Sequence, residues 1–337
     1  MPTNEAAWIS EPKGDLRVAE APYPVPAENE IVIKNHAFAI QPLDANIGRK
    51  AYMDTPYPFI LGNGVAGFVE EVGTAVSKFK KGDRVISDTP TYQLKQAKYG
   101  GWQKYVVAAA NTTAKIPENA TFEEAAAIPF ALLTAVAALH LGLGTGKPKE
   151  NRSGKVLIWS ASGSVGGYAV QYAASVGYDV VATASPRKFD YVRSLGASNV
   201  LDYKDDQIVD KLKQLGPYDF VMTASGDANG ASAISDTMQP KGGRFASTRP
   251  KNEEMRLADN VELHYDAFSL ATQKAENAAF TAWWYGDYLP VALSGGVTPT
   301  PLEKRSGGLY AVQEACEDVI AGRSPKKLIL NPQEEKS

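Results

Sequence analysis

Between residues 155 and 250 the chain alternates short apolar runs with helix-length segments, and this pattern limits the possible folds more than any other feature. The apolar runs have the length of strands and lie at 155–159, 179–184, 199–202, 220–223 and 244–246. Helix-compatible segments separate them, among them 166–176, 187–195 and 205–215. Strands separated in this way are typical of βαβ units, so the pattern predicts an α/β fold whose parallel sheet is covered by helices on both faces.

The chain before this region has a different pattern. Residues 1–120 contain frequent Pro and Gly and short runs of β-forming residues, at 30–36, 67–72, 84–87 and 103–108, which predicts a mostly β domain with long connections. Thr121 is a predicted helix N-cap, with Glu124 at the capping-box position. From Gly296 the chain returns to Pro- and Gly-rich sequence, with a helical stretch at 310–321 and an apolar run at 327–330. We therefore predict domains at 1–121 and 122–295, and a return segment at 296–337.

The charges nearly balance, with 35 Lys and Arg against 38 Asp and Glu and a net charge of −3. Such a chain lacks the basic footprint that a nucleic-acid or acidic-membrane partner requires. Charged side chains occur throughout the first twenty residues, so no secretory signal is expected. The apolar segment 125–143 is dominated by Ala and interrupted by Pro129, His140 and Gly142, which favours a buried helix over a membrane span. We expect a cytoplasmic protein.

Residue types that bind metals are scarce. Cys316 is the single cysteine, and the histidines, His36, His140 and His264, are far apart in sequence. One thiol excludes an intramolecular disulfide and a thiolate metal cluster, so we predict no bound metal and a reducing compartment. His36 lies in a predicted strand, where a structural role is favoured over that of a base.

The turn at 160–166, Ser-Ala-Ser-Gly-Ser-Val-Gly, follows a predicted strand and opens a predicted helix. It is close to the glycine fingerprint of dinucleotide-binding folds, with Ala161 at the first glycine position. Gly163 would let the backbone approach a pyrophosphate, and Gly166 would permit close packing of helix on strand. The alternative is a turn that merely joins a strand to a helix. The residues that we assign to cofactor binding here are Ser162, Gly163, Ser164 and Val165.

The segment 183–188, at the end of the next strand, predicts which dinucleotide binds. An NAD-specific protein usually has an Asp or Glu here, which binds the ribose 2′-hydroxyl. This chain has no acid in the segment and carries Arg187 and Lys188 instead, so it favours a 2′-phosphate and therefore NADPH. We assign Ser185, Arg187 and Lys188 to cofactor binding, with help from Tyr203. The alternative for the two cations is a solvated start of a helix.

Several motifs in one order resemble the medium-chain dehydrogenase/reductase superfamily over nearly the whole chain. They are Gly-Asn-Gly-Val-Ala-Gly-Phe-Val at 62–69 with Val-Gly at 72–73, Lys-Gly-Asp-Arg-Val at 81–85, Leu-Thr-Ala at 133–135, the turn at 160–166, and Leu-Gly-Ala at 195–197 before Asp-Tyr at 202–203. The resemblance implies a GroES-like, mostly β catalytic domain and a Rossmann domain with a doubly wound parallel sheet.

Zinc alcohol dehydrogenases of this superfamily bind their metal through an early Cys and a Gly-His-Glu motif. Here Gln41 and Pro42 stand in the region of that Cys, and Asn63-Gly64 replaces His-Glu. With one thiol in the chain, neither zinc site of the superfamily can be assembled in its usual form. The chain looks like the zinc-independent branch of quinone and enoyl reductases.

Within that branch, the segments 184–191 and 295–301 look most like a fungal group that includes trans-acting enoyl reductases of polyketide pathways. Two positions depart from the group. Gln41-Pro-Leu-Asp44 replaces the usual Asn-Pro-x-Asp, and Asn46 lies where members that serve polyketide synthases tend to carry Lys. The second departure argues against a dedicated polyketide partner.

We therefore expect an NADPH-dependent reductase of an activated double bond, whose substrate is a small molecule with a conjugated carbonyl or a quinone. By the resemblance, the nicotinamide lies in a cleft between the domains, Gln41 and Thr134 belong to the cofactor site, and the loop 49–57 borders the substrate. Tyr52 is the first choice for a hydroxyl that donates to the substrate oxygen, and Tyr57 is the second. The alternative for each tyrosine is a packed ring with its hydroxyl in water, and for Thr134 a hydroxyl bonded to its own helix.

Other interpretations of the chain stay open. A carbonyl reductase or alcohol dehydrogenase of the same fold is the second, and a catalytically silent NADPH-binding protein is the third. The aromatic cluster at 283–288 is interpreted as core or dimer surface in preference to the roof of a pocket. An apolar edge strand near 261–265 suits a homodimer.

Overall fold

The structure is a computed structural model and describes residues 3–335. These residues form two compact units. The first unit contains the chain up to Phe130 and again from Thr272 onward, and the second contains Ala131–Ala271.

The first unit is mostly β structure. Its strands before residue 120 are β1 (Asn4–Ile9), β2 (Arg17–Ala21), β3 (Glu30–Ala39), β4 (Phe59–Ile60), β5 (Val65–Val72), β6 (Arg84–Ser87), β7 (Tyr105–Ala109) and β8 (Thr113–Lys115). The helices are α1 (Pro42–Lys50), α2 (Thr91–Leu94) and α3 (Phe122–Ala127), and α4 (Pro129–Val136) leads into the second unit. Single 3₁₀ turns occur at Ala97–Tyr99 and Ala110–Thr112.

The second unit alternates strands and helices. Its strands are β9 (Lys155–Trp159), β10 (Asp179–Ala184), β11 (Asn199–Asp202), β12 (Phe220–Thr223), β13 (Gly243–Ser247) and β14 (Val261–Tyr265). Its helices are α5 (Ser164–Val176), α6 (Phe189–Ser194), α7 (Ile208–Leu215) and α8 (Ala228–Thr237), preceded by a π-helical stretch at Ala137–Leu143 that continues α4. A 3₁₀ turn at Pro186–Lys188 precedes α6, and another spans Phe268–Gln273.

The chain then completes the first unit. Its remaining helices are α9 (Ala278–Trp283), α10 (Leu289–Val291) and α11 (Val312–Ile320), and its last strands are β15 (Leu302–Lys304) and β16 (Lys327–Leu330). π-helical turns at Trp284–Tyr288 and Ala292–Gly296 join α9 and α10 to the following loop, and 3₁₀ turns lie at Ala275–Asn277 and Gly308–Ala311.

Two sheets organise the first unit. The larger has the order β15-β16-β3-β5-β6-β8, with β7 also paired to β3, and the smaller has the order β2-β1-β4. Ile31 and Ile33 of β3 pack with Val65 and Val69 of β5 in one apolar core. The long strand β3 holds the unit together, because it pairs with β5, β7 and the C-terminal strand β16.

The second unit contains a six-stranded parallel sheet with the order β11-β10-β9-β12-β13-β14. Strand order reverses beside β9, as in a Rossmann fold, and the carboxyl ends of all these strands lie along one edge. The predicted parallel sheet is confirmed, and every strand predicted between 155 and 250 is present. The expected edge strand at 261–265 is β14.

The compact units divide the chain at other places than the predicted boundaries at 121/122 and 295/296. Helix α3 packs on β3, β5 and β16, and the Phe122 ring stacks on His36 with centroids 5.4 Å apart. The segment after Thr272 packs against β8 through α10 and the turn Trp284–Tyr288. Both segments therefore belong to the first unit by their packing. The capping box of Thr121 and Glu124 is confirmed.

Within residues 3–335, one helical segment, Phe122–Leu143, meets the length and hydropathy of a membrane span, and 78% of its most apolar window is buried. A buried core helix meets the same criterion.

Candidate functional site

The turn that joins β9 to α5 is fastened to the neighbouring strand β10. Ser160 has a left-handed backbone (φ +66°), which is uncommon for a residue other than glycine. Its N–H donates to Thr183 Oγ1 at 3.0 Å, and the Ala161 N–H donates to the Thr183 carbonyl at 2.9 Å. Because Ala161 itself is not left-handed, the missing first glycine of the fingerprint causes no strain.

The start of α5 fits a phosphate group. Gly163 is the N-cap and no side chain caps the helix, so the first-turn N–H groups, including those of Ser164 and Val165, have no acceptor within the helix. A Cβ added at Gly163 would meet one atom within 4 Å, the Ser160 carbonyl oxygen at 3.9 Å, so the approach is open. A Cβ at Gly166 would lie 2.3 Å from the same oxygen. Gly166 therefore allows the helix to pack closely on the turn, while Gly163 leaves room for a ligand beside Ser162.

Four of the assigned residues lie together at the carboxyl ends of β10 and β11, and we call them the strand-end cluster: Ser185, Arg187, Lys188 and Tyr203. The parallel register places Ala184 opposite Asp202, so the residues that follow both strands are neighbours. The Lys188 N–H donates to the Ser185 carbonyl at 2.8 Å, and the Lys188 ammonium lies 5.7 Å from the centre of the Tyr191 ring.

The strand-end cluster is open to solvent. Arg187 is exposed, and Tyr203 is 42% exposed. In the described part of the chain neither Arg187 nor Lys188 forms an ion pair. Both cations therefore remain available to an anionic ligand.

A second group of polar residues is buried in the first unit, and we call it the buried polar cluster: Gln41, Asp44, Tyr92 and Lys327. The Tyr92 hydroxyl donates to Asp44 Oδ1 at 2.5 Å and accepts the Gly62 N–H at 3.1 Å. The Lys327 ammonium of β16 donates to Gln41 Oε1 at 2.8 Å. Gln41 is the N-cap of α1 and Asp44 lies in its first turn, so the cluster joins α1, α2 and the C-terminal strand.

Burial shifts the protonation of this cluster. It raises the pKa of Asp44 to about 7, although the hydrogen bond from Tyr92 opposes the shift. Burial also lowers the pKa of Lys327 to about 8, against the attraction of Asp44. The pKa of Tyr92 is raised by burial and by the charge of Asp44. Both shifts have the same cause, because burial disfavours the charged form of each group.

The Lys327 ammonium fixes the orientation of the Gln41 amide. An ammonium group can only donate, so Gln41 must turn its oxygen toward Lys327. The Gln41 nitrogen then points away from Lys327 and keeps its two donors for another partner. Gln41 is a predicted cofactor-site residue, and in this orientation its Nε2 group is the one that can donate hydrogen bonds to a ligand.

The predicted tyrosines are not members of the buried polar cluster. Tyr52 follows the left-handed residue Ala51 at the end of α1, and its side chain is 56% exposed. Tyr57 is partly buried and packs on the apolar core that contains Phe59. Neither hydroxyl has a hydrogen-bond partner among residues 3–335. Thr134 is buried in α4, within the second unit.

Two members of the buried polar cluster were missed by sequence reasoning, namely Tyr92 and Lys327. Tyr92 lies in a short helix, and Lys327 begins an apolar run that reads as a strand. In the sequence, Lys327 stands at the start of the apolar run 327–330. Lysine is rarely buried, so a lysine in such a run is the signal that the sequence offers.

The structure also describes a second buried carboxyl group. Asp88 follows β6, and the Tyr285 hydroxyl donates to its Oδ2 at 2.7 Å. Burial raises the pKa of Asp88 to about 6, although that hydrogen bond lowers it. Trp284 and Tyr285 are buried in the first unit, which agrees with the core interpretation of the aromatic cluster.

Groups of three or more His, Cys, Asp or Glu side chains with metal-binding geometry are absent from residues 3–335. Cys316 is free and packs in the apolar core beside Ile47 and Phe59. Burial raises the pKa of its thiol far above the usual value, so it stays protonated.

Comparisons with known proteins agree with this architecture. The family described as "Alcohol dehydrogenase GroES-like domain" matches residues 27–118, and the family described as "Zinc-binding dehydrogenase" matches residues 164–259. The dehydrogenase pigH of Monascus ruber is 34% identical over 98% of this chain and 100% of its own length. The trans-enoyl reductase himH of Aspergillus japonicus is 30% identical over 97% of each chain.

Among solved structures, a quinone oxidoreductase of Pseudomonas syringae pv. Tomato DC3000 has the same fold, with a TM-score of 0.78 and 24% identity over 98% of this chain and 100% of that one. A GroES-like unit combined with a Rossmann sheet defines a class of nicotinamide-dependent oxidoreductases. The chain belongs to the medium-chain dehydrogenase/reductase superfamily, in its enoyl reductase-like branch. The family implies a nicotinamide cofactor, and the open start of α5 fits the pyrophosphate of such a group.

Proposed function

We propose that this protein is an NADPH-dependent reductase that adds hydride to the activated carbon–carbon double bond of an enone, enal or quinone, without zinc. The strand-end cluster is the observation that carries the proposal. It presents two unpaired cations and no carboxylate side chain between 183 and 188, where a dinucleotide's ribose is recognised. The name of himH, a trans-enoyl reductase, supports the enoyl class of substrate.

The cofactor, when bound, supplies the hydride. Lys188 and Arg187 would bind the 2′-phosphate through charge-assisted hydrogen bonds, with Ser185 and Tyr203 beside them. The N–H groups of Ser164 and Val165 would bind the pyrophosphate at the helix start. Gln41 and Thr134 would contact the nicotinamide.

We propose that the protein binds no catalytic zinc, because the residues at the positions of the usual zinc ligands are poor ligands. Gln41 and Asn63 stand at positions where the zinc dehydrogenases carry Cys and His, and a carboxamide is a poor zinc ligand. Hydrogen-bond donors must then assist the reaction, which suits a conjugated acceptor whose negative charge spreads onto its oxygen. Tyr52 is the proposed donor, and Tyr57 is the second candidate.

The oxidation of NADPH with an enone and with its saturated ketone tests the proposal. We expect rapid turnover with the enone, slow turnover with the ketone, full activity after dialysis against a chelator, and no stoichiometric zinc by elemental analysis. Equal rates with both substrates would indicate a carbonyl reductase. Tight NADPH binding without turnover of enals, enones and quinones would indicate a silent binding protein, and loss of activity with the removal of one zinc per chain would contradict the zinc-independent assignment.

A further inference from the structure

The turn Gly62-Asn63-Gly64, between β4 and β5, holds one polar side chain in a fixed place. Gly62 and Gly64 both have left-handed backbones, with φ of +98° and +91°. The Gly62 N–H donates to the Tyr92 hydroxyl, and its carbonyl accepts from Thr91 Oγ1 at 3.1 Å and from the Gly101 N–H at 2.9 Å. Both backbone groups of Gly62 are therefore hydrogen-bonded, which restrains the turn directly before Asn63.

The Asn63 carboxamide is buried but makes no hydrogen bond. The residue is 2% exposed, and neither its Oδ1 nor its Nδ2 has a partner in the described chain. Its backbone N–H does have one, Asp44 Oδ2 at 3.4 Å. A buried amide without partners is costly, so a side chain placed in this way is expected to meet a ligand.

Other unpartnered buried atoms surround the same turn. Asp88 Oδ1 lies 3.7 Å from the position of a Cβ at Gly64, and Trp102 Nε1 lies 2.7 Å from that of a Cβ at Gly62. Neither atom has a hydrogen-bond partner among residues 3–335. Four of the nine unpartnered buried side-chain atoms in the described residues thus lie at this turn, and Asn63 is the residue whose amide oxygen and nitrogen are both among them.

The charges around the turn limit what Asn63 can bind. Asp44 Oδ2 accepts the Asn63 N–H, and Asp88 Oδ1 lies 3.7 Å from the position of a Cβ at Gly64, so two carboxyl groups near the turn disfavour an anion. A metal ion is disfavoured, because residues 3–335 contain no group of three or more His, Cys, Asp or Glu side chains that could hold one. A neutral group with a carbonyl oxygen remains, because it accepts from Nδ2 without adding charge.

We propose that Asn63 is a binding residue whose Nδ2 donates to a carbonyl oxygen. That oxygen belongs either to the conjugated substrate or to the carboxamide of the nicotinamide. This inference rests on the proposed function and deepens it. If the oxygen is the substrate's, negative charge develops on it during hydride transfer, and the Asn63 bond becomes stronger at that moment.

The test compares two buried asparagines of the first unit. Asn63→Leu replaces an unpartnered amide with an apolar group of similar size, so we expect an unchanged or higher melting temperature. Asn35 is the matched control, because its Nδ2 donates to the carbonyls of Gly101 and Gln103 at 2.9 and 3.2 Å. Asn35→Leu should lower the melting temperature, because it leaves those two carbonyls without a partner.

Binding measurements distinguish the two sources of the oxygen. If it is the substrate's, Asn63→Leu should weaken 2-cyclohexenone at least tenfold in the presence of NADP⁺ and leave the Kd of NADPH unchanged. If it is the nicotinamide's, the variant should weaken NADPH at least tenfold and leave 2′,5′-ADP, which lacks nicotinamide, unchanged. Unchanged binding of all three would overturn the inference and assign the turn to bound water.

The outcomes also separate this inference from the proposed function. If the parent protein reduces an enone and Asn63→Leu does so at the parental rate and with parental affinities for both the enone and NADPH, the inference fails and the function stands. If the parent reduces no activated double bond but Asn63→Leu weakens NADPH and spares 2′,5′-ADP, the function fails and the inference stands. A large fall in the melting temperature of Asn63→Leu would assign a structural role to Asn63 and would also overturn the inference.

Discussion

The strand-end cluster and the buried polar cluster both use charged side chains, but in opposite environments. Arg187 and Lys188 are at the surface and make no ion pairs in the described chain. Asp44 and Lys327 are buried, and their neighbours satisfy them with hydrogen bonds. Unpaired cations at the surface can bind an anionic ligand, whereas buried ionisable groups must be stabilised by neighbouring groups of the protein itself. Substitutions in the strand-end cluster should therefore change the affinity for NADPH, and substitutions in the buried polar cluster should change the free energy of unfolding.

The difference follows from desolvation. Removing a carboxylate or an ammonium from water costs several kcal/mol, which neighbouring groups must offset. At the strand ends this cost arises when a ligand binds, and the ligand's own charge offsets it. In the buried polar cluster the cost arises on folding, so the cluster fixes where α1 and β16 lie relative to each other within the first unit.

The largest expected effect is on the stability of the buried polar cluster. At pH 5, where Asp44 is protonated in the folded protein, Asp44→Ala should lower the free energy of unfolding by roughly 1–3 kcal/mol, because it leaves the buried Tyr92 hydroxyl and the Asn63 N–H without their acceptor. Arg187→Ala, at the surface, should change it by less than about 0.5 kcal/mol. Urea unfolding measures both. Equal effects would contradict the division between the clusters.

The carboxyl group of Asp44 should also make the free energy of unfolding depend on pH. Burial raises the pKa of Asp44 from its ordinary 3.8 to about 7, so the folded protein binds this proton more tightly than the unfolded chain does. The stability of the parent relative to Asp44→Asn should therefore decrease as the pH rises from about 4 to about 7. Urea unfolding of both proteins across this range checks the sign. A difference that stays constant or increases would mean that Asp44 is ionised in the folded protein throughout.

Tyr52 lies outside both clusters and tests whether an exposed hydroxyl takes part in chemistry. If it donates to the substrate oxygen as charge develops, Tyr52→Phe should slow hydride transfer by about a hundredfold and change substrate affinity less. Stability should not change, because the side chain is 56% exposed. Single-turnover measurements with deuterated NADPH isolate the step, and Tyr57→Phe is the comparison. If both variants transfer hydride at the parental rate, the donor is another group, such as Thr134 or water.

The strand-end cluster predicts a selective loss of affinity. Lys188→Ala should weaken NADPH by roughly tenfold to a hundredfold, because one charge-assisted hydrogen bond contributes about 1.5–3 kcal/mol. NADH has no 2′-phosphate and should be affected much less. Lys213→Ala removes the same charge from the exposed face of α7 in the same unit and serves as the control. Equal losses for both cofactors would mean that Lys188 supports the fold.

The two regions also differ in how well the sequence predicts them. Strands β9 to β12 match the predicted ranges, and β10 ends at Ala184, directly before the predicted cofactor residues. These features depend on neighbours in sequence: alternating apolar runs, a glycine turn and cations that follow a strand. The capping box at Thr121 has the same local origin. For that reason the positions of these residues directly after β10 and β11 can be predicted from the sequence alone, and their role in cofactor binding stays a prediction.

The buried polar cluster depends on distant residues. Tyr92 and Asp44 are 48 residues apart, and Lys327 and Gln41 are 286 apart. No local pattern specifies which side chains meet when α1, α2 and β16 pack together. The same reason applies to the segment after Thr272, which continues the chain of the Rossmann unit but packs in the first unit through Trp284 and Tyr285.

The smallest expected effect concerns the formation of a homodimer through the backbone N–H and C=O groups of the edge strand β14. In the described chain β14 pairs with β13 alone, so its other side presents N–H and C=O groups to which a second copy can pair. The Gly243 N–H donates to the Asn260 carbonyl at 2.8 Å, and by the alternation of a parallel ladder the Leu263 N–H points to the open side. Light scattering at micromolar concentration should give twice the mass of 36.2 kDa. Leu263→Pro removes that N–H and should give the monomer mass with NADPH affinity retained. A monomeric parent protein would contradict the prediction, and a dimeric Leu263→Pro would place the interface elsewhere.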